Sequence, residues 1–178
     1  HVTGPLIRFK SIMRYAAMFL VVLGAAVVLK LTLFNGAQPD KLYDRYYEAY
    51  NADVVMRSTQ SAATALENAL SDYGHGDYAT ALQKLDGLTL EKQDDYLAWF
   101  YKGLTCLALD QTSEAIRSFK MIDSGWDHPL LEHRNWYLAL ALLHNNNKEE
   151  AVVVFTEIRE SNGYYAENAG KILRKLCS

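Results

Sequence analysis

The sequence predicts an all-α protein: an N-terminal transmembrane helix, then an α-solenoid of three helix–turn–helix units closed by a C-terminal capping helix. Three observations carry that prediction. Apolar pairs four residues apart recur in phase at Ala81/Leu85, Ala115/Phe119 and Ala151/Phe155, with separations of 34 and then 36 residues. The chain of 178 residues has three prolines, all outside the periodic stretches, as helix interiors require. The run Tyr15–Phe34 is interrupted by one charge, Lys30.

The central stretch, Trp99 to Ile122, reads as two short antiparallel helices. Trp99, Gly103 and Cys106 share one stripe of the first; Ala115 and Phe119 share one stripe of the second, with a turn at Asp110–Ser113 between them. A glycine at a helix crossing lets the backbones approach, and aromatics fill the space beside it. One hairpin of this size cannot bury its own apolar face, so copies must flank it. Upstream, Leu66, Ala69, Leu70 and Tyr73 mark a first helix and Gly76-Asp77-Tyr78 opens its partner. Downstream, Trp136 and Ala139 start a third hairpin, after a loop around Trp126 and Pro129 that holds the two additional residues. Packing against the next helix is the expectation for Trp126.

This pattern resembles the tetratricopeptide repeat, a 34-residue helix–turn–helix unit with a W-x2-L-G-x2-Y…A-x3-F…P signature. The resemblance covers roughly residues 61–160, with units near 61–94, 95–130 and 131–163 and a cap at 164–178. The sequence departs from the signature at Lys102, where leucine is usual, at Cys106, where tyrosine is usual, and in the first unit, which lacks tryptophan. Past Gly163, a last helix from about Tyr164 to Leu176 turns Tyr165, Ala169, Ile172, Leu173 and Leu176 to one side, as a solenoid end cap must.

The span Tyr15–Phe34 has the length of a bilayer core when helical, about 30 Å, and Lys30 can reach the headgroups along its own stem. Arg8, Lys10 and Arg14 precede it without an acid, which places the N-terminus in the cytoplasm and the repeats outside. A cleaved signal peptide is the rival, disfavoured by the want of a small-x-small cleavage site after Lys30; a buried core helix is disfavoured because the run is apolar all round. The chain starts at His1, so a fragment or processed product is expected.

Four of the 18 Lys and Arg lie in residues 1–34, whereas all 21 acids follow Phe34. No basic stripe exists there, so a nucleic-acid partner is not expected. His1, His75, His128, His133 and His144 form no H-E-x-x-H, and no Cys/His set has zinc spacing. His75, His128 and His133 read as solvated turn residues. There is no G-x-S-x-G or phosphate-binding glycine loop. The chain is expected not to be an enzyme, with no catalytic residue, metal, cofactor or small-molecule substrate. Cys106 reads as a buried free thiol.

By the resemblance, the first helix of each unit lines a concave groove: Leu66, Leu70 and Tyr73; Phe100, Leu104 and Leu107; His133, Trp136, Tyr137, Leu140 and Leu143. Relatives that clamp carboxylates use Lys, Arg and Asn there, whereas Leu66, Leu70, Tyr101, His133 and Tyr137 stand in those places here. A hydrophobic occupant is implied. It is either a protein or peptide partner or the chain's own Tyr43–Val55 region, in which Tyr43, Tyr46, Tyr47 and Tyr50 fall on one helix face ahead of an extended Val54-Val55. Folding back of that region onto the repeats is the expectation; a strip that contacts an outside partner or the membrane interface is the alternative.

The expected function is a scaffold of the bacterial inner membrane, single-pass, presenting a periplasmic repeat domain to a protein or peptide partner. The arrangement resembles bacterial single-pass envelope proteins with tetratricopeptide repeats. Two alternatives remain open at this point: an anti-sigma-like transmembrane regulator whose effector segment precedes His1, and a structural subunit of an envelope complex.

Overall fold

The computed structural model describes residues 39–51, 64–125 and 127–177. These form eight helices and no strand: α1 Pro39–Tyr46, α2 Ala65–Gly74, α3 Tyr78–Glu91, α4 Tyr96–Ala108, α5 Thr112–Lys120, α6 Leu130–His144, α7 Lys148–Glu160 and α8 Ala166–Leu176. The apolar run 15–34, Val54, Val55 and Trp126 lie outside the described residues. No helix among the described residues is long and apolar enough to cross a membrane.

From α2 onward the helices form three antiparallel hairpins, α2–α3, α4–α5 and α6–α7, and α8 packs against α7. The same backbone turn closes all three. Asp77, Gln111 and Asn147 each donate their N–H to the carbonyl five residues back, on Asp72, Cys106 and Leu142, at 2.8–2.9 Å. The residue before each donor is left-handed: Gly76 at φ 80°, Asp110 at 59° and Asn146 at 59°. A helix that ends this way satisfies its last carbonyls through the reversed residue, a conformation open to Gly and, at small cost, to Asn and Asp. The donor then starts the next helix, and Asp77 Oδ1 accepts the N–H of Thr80 at 3.2 Å. Between hairpins, Asp95 caps α4 by accepting the N–H of Ala98 at 3.0 Å. Thr64 and Glu67 form a reciprocal capping box at the start of α2.

Packing follows the periodic pairs. Ala81, Leu85, Ala115, Phe119, Ala151 and Phe155 are all fully buried. Gly103 marks a close approach of α4 to α5, because a Cβ built on it would stand 2.5 Å from Cε1 of Phe119. Cys106, also fully buried, is a free thiol. Desolvation, with Glu114 nearby, pushes it up to about 12, which keeps it protonated.

Lys102, the departure on α4, is buried up to its tip. Its Nζ lies 2.9 Å from Asp86 Oδ1 on α3, 4.0 Å from Glu114 Oε1 on α5, and 4.8 Å above the Trp99 ring. Its stem thus fills the apolar position while the ammonium reaches carboxylates at the edge. Arg134, also buried, donates from Nη2 to the carbonyl of Ile122 at 2.8 Å, which ties α6 to the chain leaving α5. On α8, Ala169, Ile172, Leu173 and Leu176 are buried.

Candidate binding groove

The first helices of the hairpins also touch one another, α2 with α4 and α4 with α6. Residues on their common side form one continuous face, built around Tyr73, Phe100, Tyr101, His133, Trp136 and Tyr137. This face is occupied by residues 39–51.

That segment, here termed the strap, is held by rings and by backbone. Tyr43 stacks on His144, with centroids 4.1 Å apart and planes 11° from parallel, and on Tyr47 at 4.9 Å. Tyr46 meets the edge of Trp136 at 6.4 Å, and Tyr47 meets Tyr137 at 6.2 Å. Tyr50 is inserted among Phe100, Tyr101, His133 and Tyr137, with centroids between 5.0 and 6.3 Å. Edge-on contacts of this kind add to the gain from removing ring surface from water. Two hydroxyls of the face then grip the strap's main chain. Tyr137 Oη donates to the carbonyl of Glu48 at 2.7 Å, and Tyr73 Oη donates to that of Tyr50 at 2.9 Å.

The expected single helical face for the four tyrosines is corrected here. Helix α1 ends at Tyr46, with Tyr47 N–H still donating to Tyr43 O at 2.8 Å, and residues 47–51 are not helical. The physical reason is competition for the backbone. An eight-residue helix has little stability of its own. Beyond it, the carbonyls of Glu48 and Tyr50 take tyrosine hydroxyls of the face, rather than N–H groups of a continuing helix, as donors.

Burial, first, and then neighbouring tyrosines raise the pKa values of Tyr73 and Tyr137, so both stay hydroxyl donors at neutral pH. Tyr101 is raised by burial and then by Tyr50. Its Oη is buried and has no hydrogen-bond partner among the described residues. His133 is lowered by desolvation, against an opposing pull from Glu132. The ring is partly buried, and its Nδ1 sits 2.7 Å from Tyr165 Oη. The expectation of a solvated His133 is therefore overturned: the residue faces Tyr50, and its ring is wedged between that residue and Tyr165. His75 is exposed at the end of α2, with Nδ1 2.6 Å from Ser71 O. His128 accepts the Leu130 N–H at 3.2 Å.

Of the residues predicted to line the groove, Tyr73, Phe100, His133, Trp136 and Tyr137 contact the strap. Leu70, Leu104, Leu107, Leu140 and Leu143 are buried within the helical core, and Leu66 is half-buried beside it. Tyr101, which the resemblance put at a clamp position of the groove, touches Tyr50. Two contributors were not among the predicted lining: His144 stacks on Tyr43, and Tyr165 lies flat against Trp136 at 4.6 Å. A signal for His144 exists in the sequence, since His133, Tyr137, Leu140 and His144 follow a 4–3–4 spacing along one side of α6. His144 also joins the strap to the α4–α5 turn, with Nε2 3.1 Å from Asp110 Oδ1 and Nδ1 3.7 Å from Asp40 Oδ1.

No protein-family model matches the chain, and no curated protein matches it.

Proposed function

We propose that this chain is a membrane-anchored protein-interaction scaffold, with tetratricopeptide-like hairpins that take an extended segment of a protein partner on the face formed by α2, α4 and α6. The observation that carries this reading is the seating of the strap. A chain segment with aromatic side chains and two free carbonyls already fits that face, ring by ring and bond by bond. The recurrence of one turn at three hairpins, with donors spaced 34 and 36 residues apart, supports the kinship to tetratricopeptide units. The anchor is the apolar run 15–34, and the basic flank of Arg8, Lys10 and Arg14 directs the repeats out of the cytoplasm.

Two measurements on the full chain in bacterial cells test the proposal. A reporter fused after Ser178 is expected to be active only outside the cytoplasm; activity in the cytoplasm overturns the orientation. A photo-crosslinking residue at His133, on the face beside Tyr50, is expected to capture a discrete partner protein that one placed at exposed Val153 does not. Identical capture patterns from both positions, or no partner from either, overturn the scaffold role of this face.

A further inference from the structure

We infer that the strap, residues 39–51, is a built-in competitor for the face it covers, and that the partner displacing it is an extended protein segment with aromatic side chains at the strap's spacing. The inference rests on the scaffold reading and specifies its ligand and its regulation.

Three features of the contact argue for a displaceable occupant. First, the two tyrosine hydroxyls of the face, those of Tyr137 and Tyr73, donate to main-chain carbonyls, those of Glu48 and Tyr50. Any extended segment offers such carbonyls, so the grip reads backbone and leaves identity to the rings. Secondly, the strap's contribution is concentrated in Tyr43, Tyr46, Tyr47 and Tyr50 and in Leu42, whereas Asp44, Arg45, Glu48 and Ala49 are exposed. The side chains that a competitor must imitate are therefore few and aromatic. Thirdly, the strap does not satisfy the face. Tyr73 and Tyr137 find acceptors, yet Tyr101, whose ring touches that of Tyr50, keeps a buried hydroxyl without a partner among the described residues. Buried polar groups are nearly always paired in a completed site. A segment that brings an acceptor to Tyr101 Oη binds with an interaction the strap lacks, and so can displace it.

The middle of the face is charge-poor. Its residues there are tyrosines, Phe100, Trp136 and His133, with His144 and Asp110 at one end, and burial holds the imidazole of His133 toward its neutral form. An aromatic segment suits it better than an acidic one, which would bring negative charge against ring faces without a cation to pair with.

The test uses the full chain and a labelled peptide with the sequence of residues 39–51, alongside the same peptide with alanine at Tyr43, Tyr47 and Tyr50. Wild-type chain is expected to bind the tyrosine peptide weakly, because its own strap competes at a high effective concentration. Chain with Tyr43→Ala and Tyr47→Ala is expected to bind it about 10–100-fold more tightly. The alanine peptide is expected not to bind, and adding Tyr73→Phe and Tyr137→Phe to the strap variant is expected to abolish the gain. Equal peptide affinity for wild type and strap variant, with helical circular dichroism retained, overturns the inference: the strap is then a fixed part of the fold. Should the double variant lose its helical signal, Tyr47→Ala alone, at a half-buried ring, provides the same comparison. Dimers of the strap variants would make a second copy the occupant and overturn the assignment to a separate partner. A negative peptide result beside a crosslinked partner refutes only the competitor; a missing crosslink beside a positive peptide result refutes only the scaffold.

Discussion

Gly103→Leu tests the helix crossing on which the middle hairpin depends. At position 103 even a methyl group would lie 2.5, 2.7 and 2.8 Å from Cε1, Cζ and Cδ1 of Phe119. Carbon atoms prefer separations of about 3.5–4.0 Å, so the ring must retreat by about 1 Å for alanine and much farther for leucine. Phe119 is fully buried, with the Phe100 ring 6.2 Å from it, and has no open side to move into. Overpacking of a core costs about 1–3 kcal/mol, and leucine belongs at or beyond the upper end. Replacing a mid-helix glycine returns about 1 kcal/mol through helix propensity. A net loss of about 2 kcal/mol or more remains, which lowers the thermal midpoint by about 8 °C at roughly 4 °C per kcal/mol. Thermal circular dichroism of the chain measures this. The pair Gly103→Ala and Phe119→Leu adds an internal check: if the two side chains meet, the double variant loses less stability than the sum of the singles, by about 1 kcal/mol. An unchanged midpoint for Gly103→Leu, or strict additivity in the pair, would refute the crossing.

Two further predictions concern titration and reactivity. The pKa values of Cys106, Tyr73, Tyr101 and Tyr137 are all raised in the fold, so the unfolded chain loses these protons first; stability is expected to be fully present below pH 9 and to decline as pH rises from about 9 toward 12 and above. Denaturant titrations at pH 8 and 10.5 compare the two regimes, and a higher midpoint at 10.5 contradicts the assignment. A thiol reagent at pH 8 is expected to label one cysteine in the native chain, exposed Cys177, and two in denaturant; rapid native labelling of Cys106 would contradict its burial.

The hairpins were legible because their signal is repeated. Ala81, Ala115 and Ala151 recur in phase with a large partner four residues later, and each such pair lies buried at a helix contact. The equivalence of the three turns was much less visible, since glycine, aspartate and asparagine occupy the left-handed position in turn. Aspartate and asparagine at a helix boundary are read as caps as readily as reversals. The strap was legible in outline only. Tyr43, Tyr46, Tyr47 and Tyr50 satisfy a helical period perfectly well, but the hydroxyls that take the later carbonyls come from residues 23 and 89 positions away along the chain. Local periodicity holds no trace of such donors. His133 was misread for a related reason: Pro129 and the surrounding loop suggest a solvated turn, whereas the residue's own helix turns it toward Tyr50 and Tyr165.

Lys102 was visible from the sequence as a departure, and its setting predicts what the departure contributes. The stem is packed in the core while Nζ reaches Asp86 and Glu114. If the ion pair were the main contribution, any neutral replacement would be costly. Asp86, however, is about half exposed, with a side-chain accessibility of 49%, so loss of the ammonium returns its carboxylate to water rather than stranding it. An ion pair of that kind contributes little net stability once the desolvation of the amine is counted. The stem is different, since each buried methylene contributes about 0.8 kcal/mol. Lys102→Leu, which fills much of the same volume, is therefore expected to stay within about 1 kcal/mol of wild type. Lys102→Ala removes three methylenes beyond Cβ and is expected to cost about 2 kcal/mol. Chemical denaturation of the three chains at low and high salt measures both. Leucine as costly as alanine, with the difference from wild type erased by salt, would mean that the charge rather than the stem holds α4 against its neighbours.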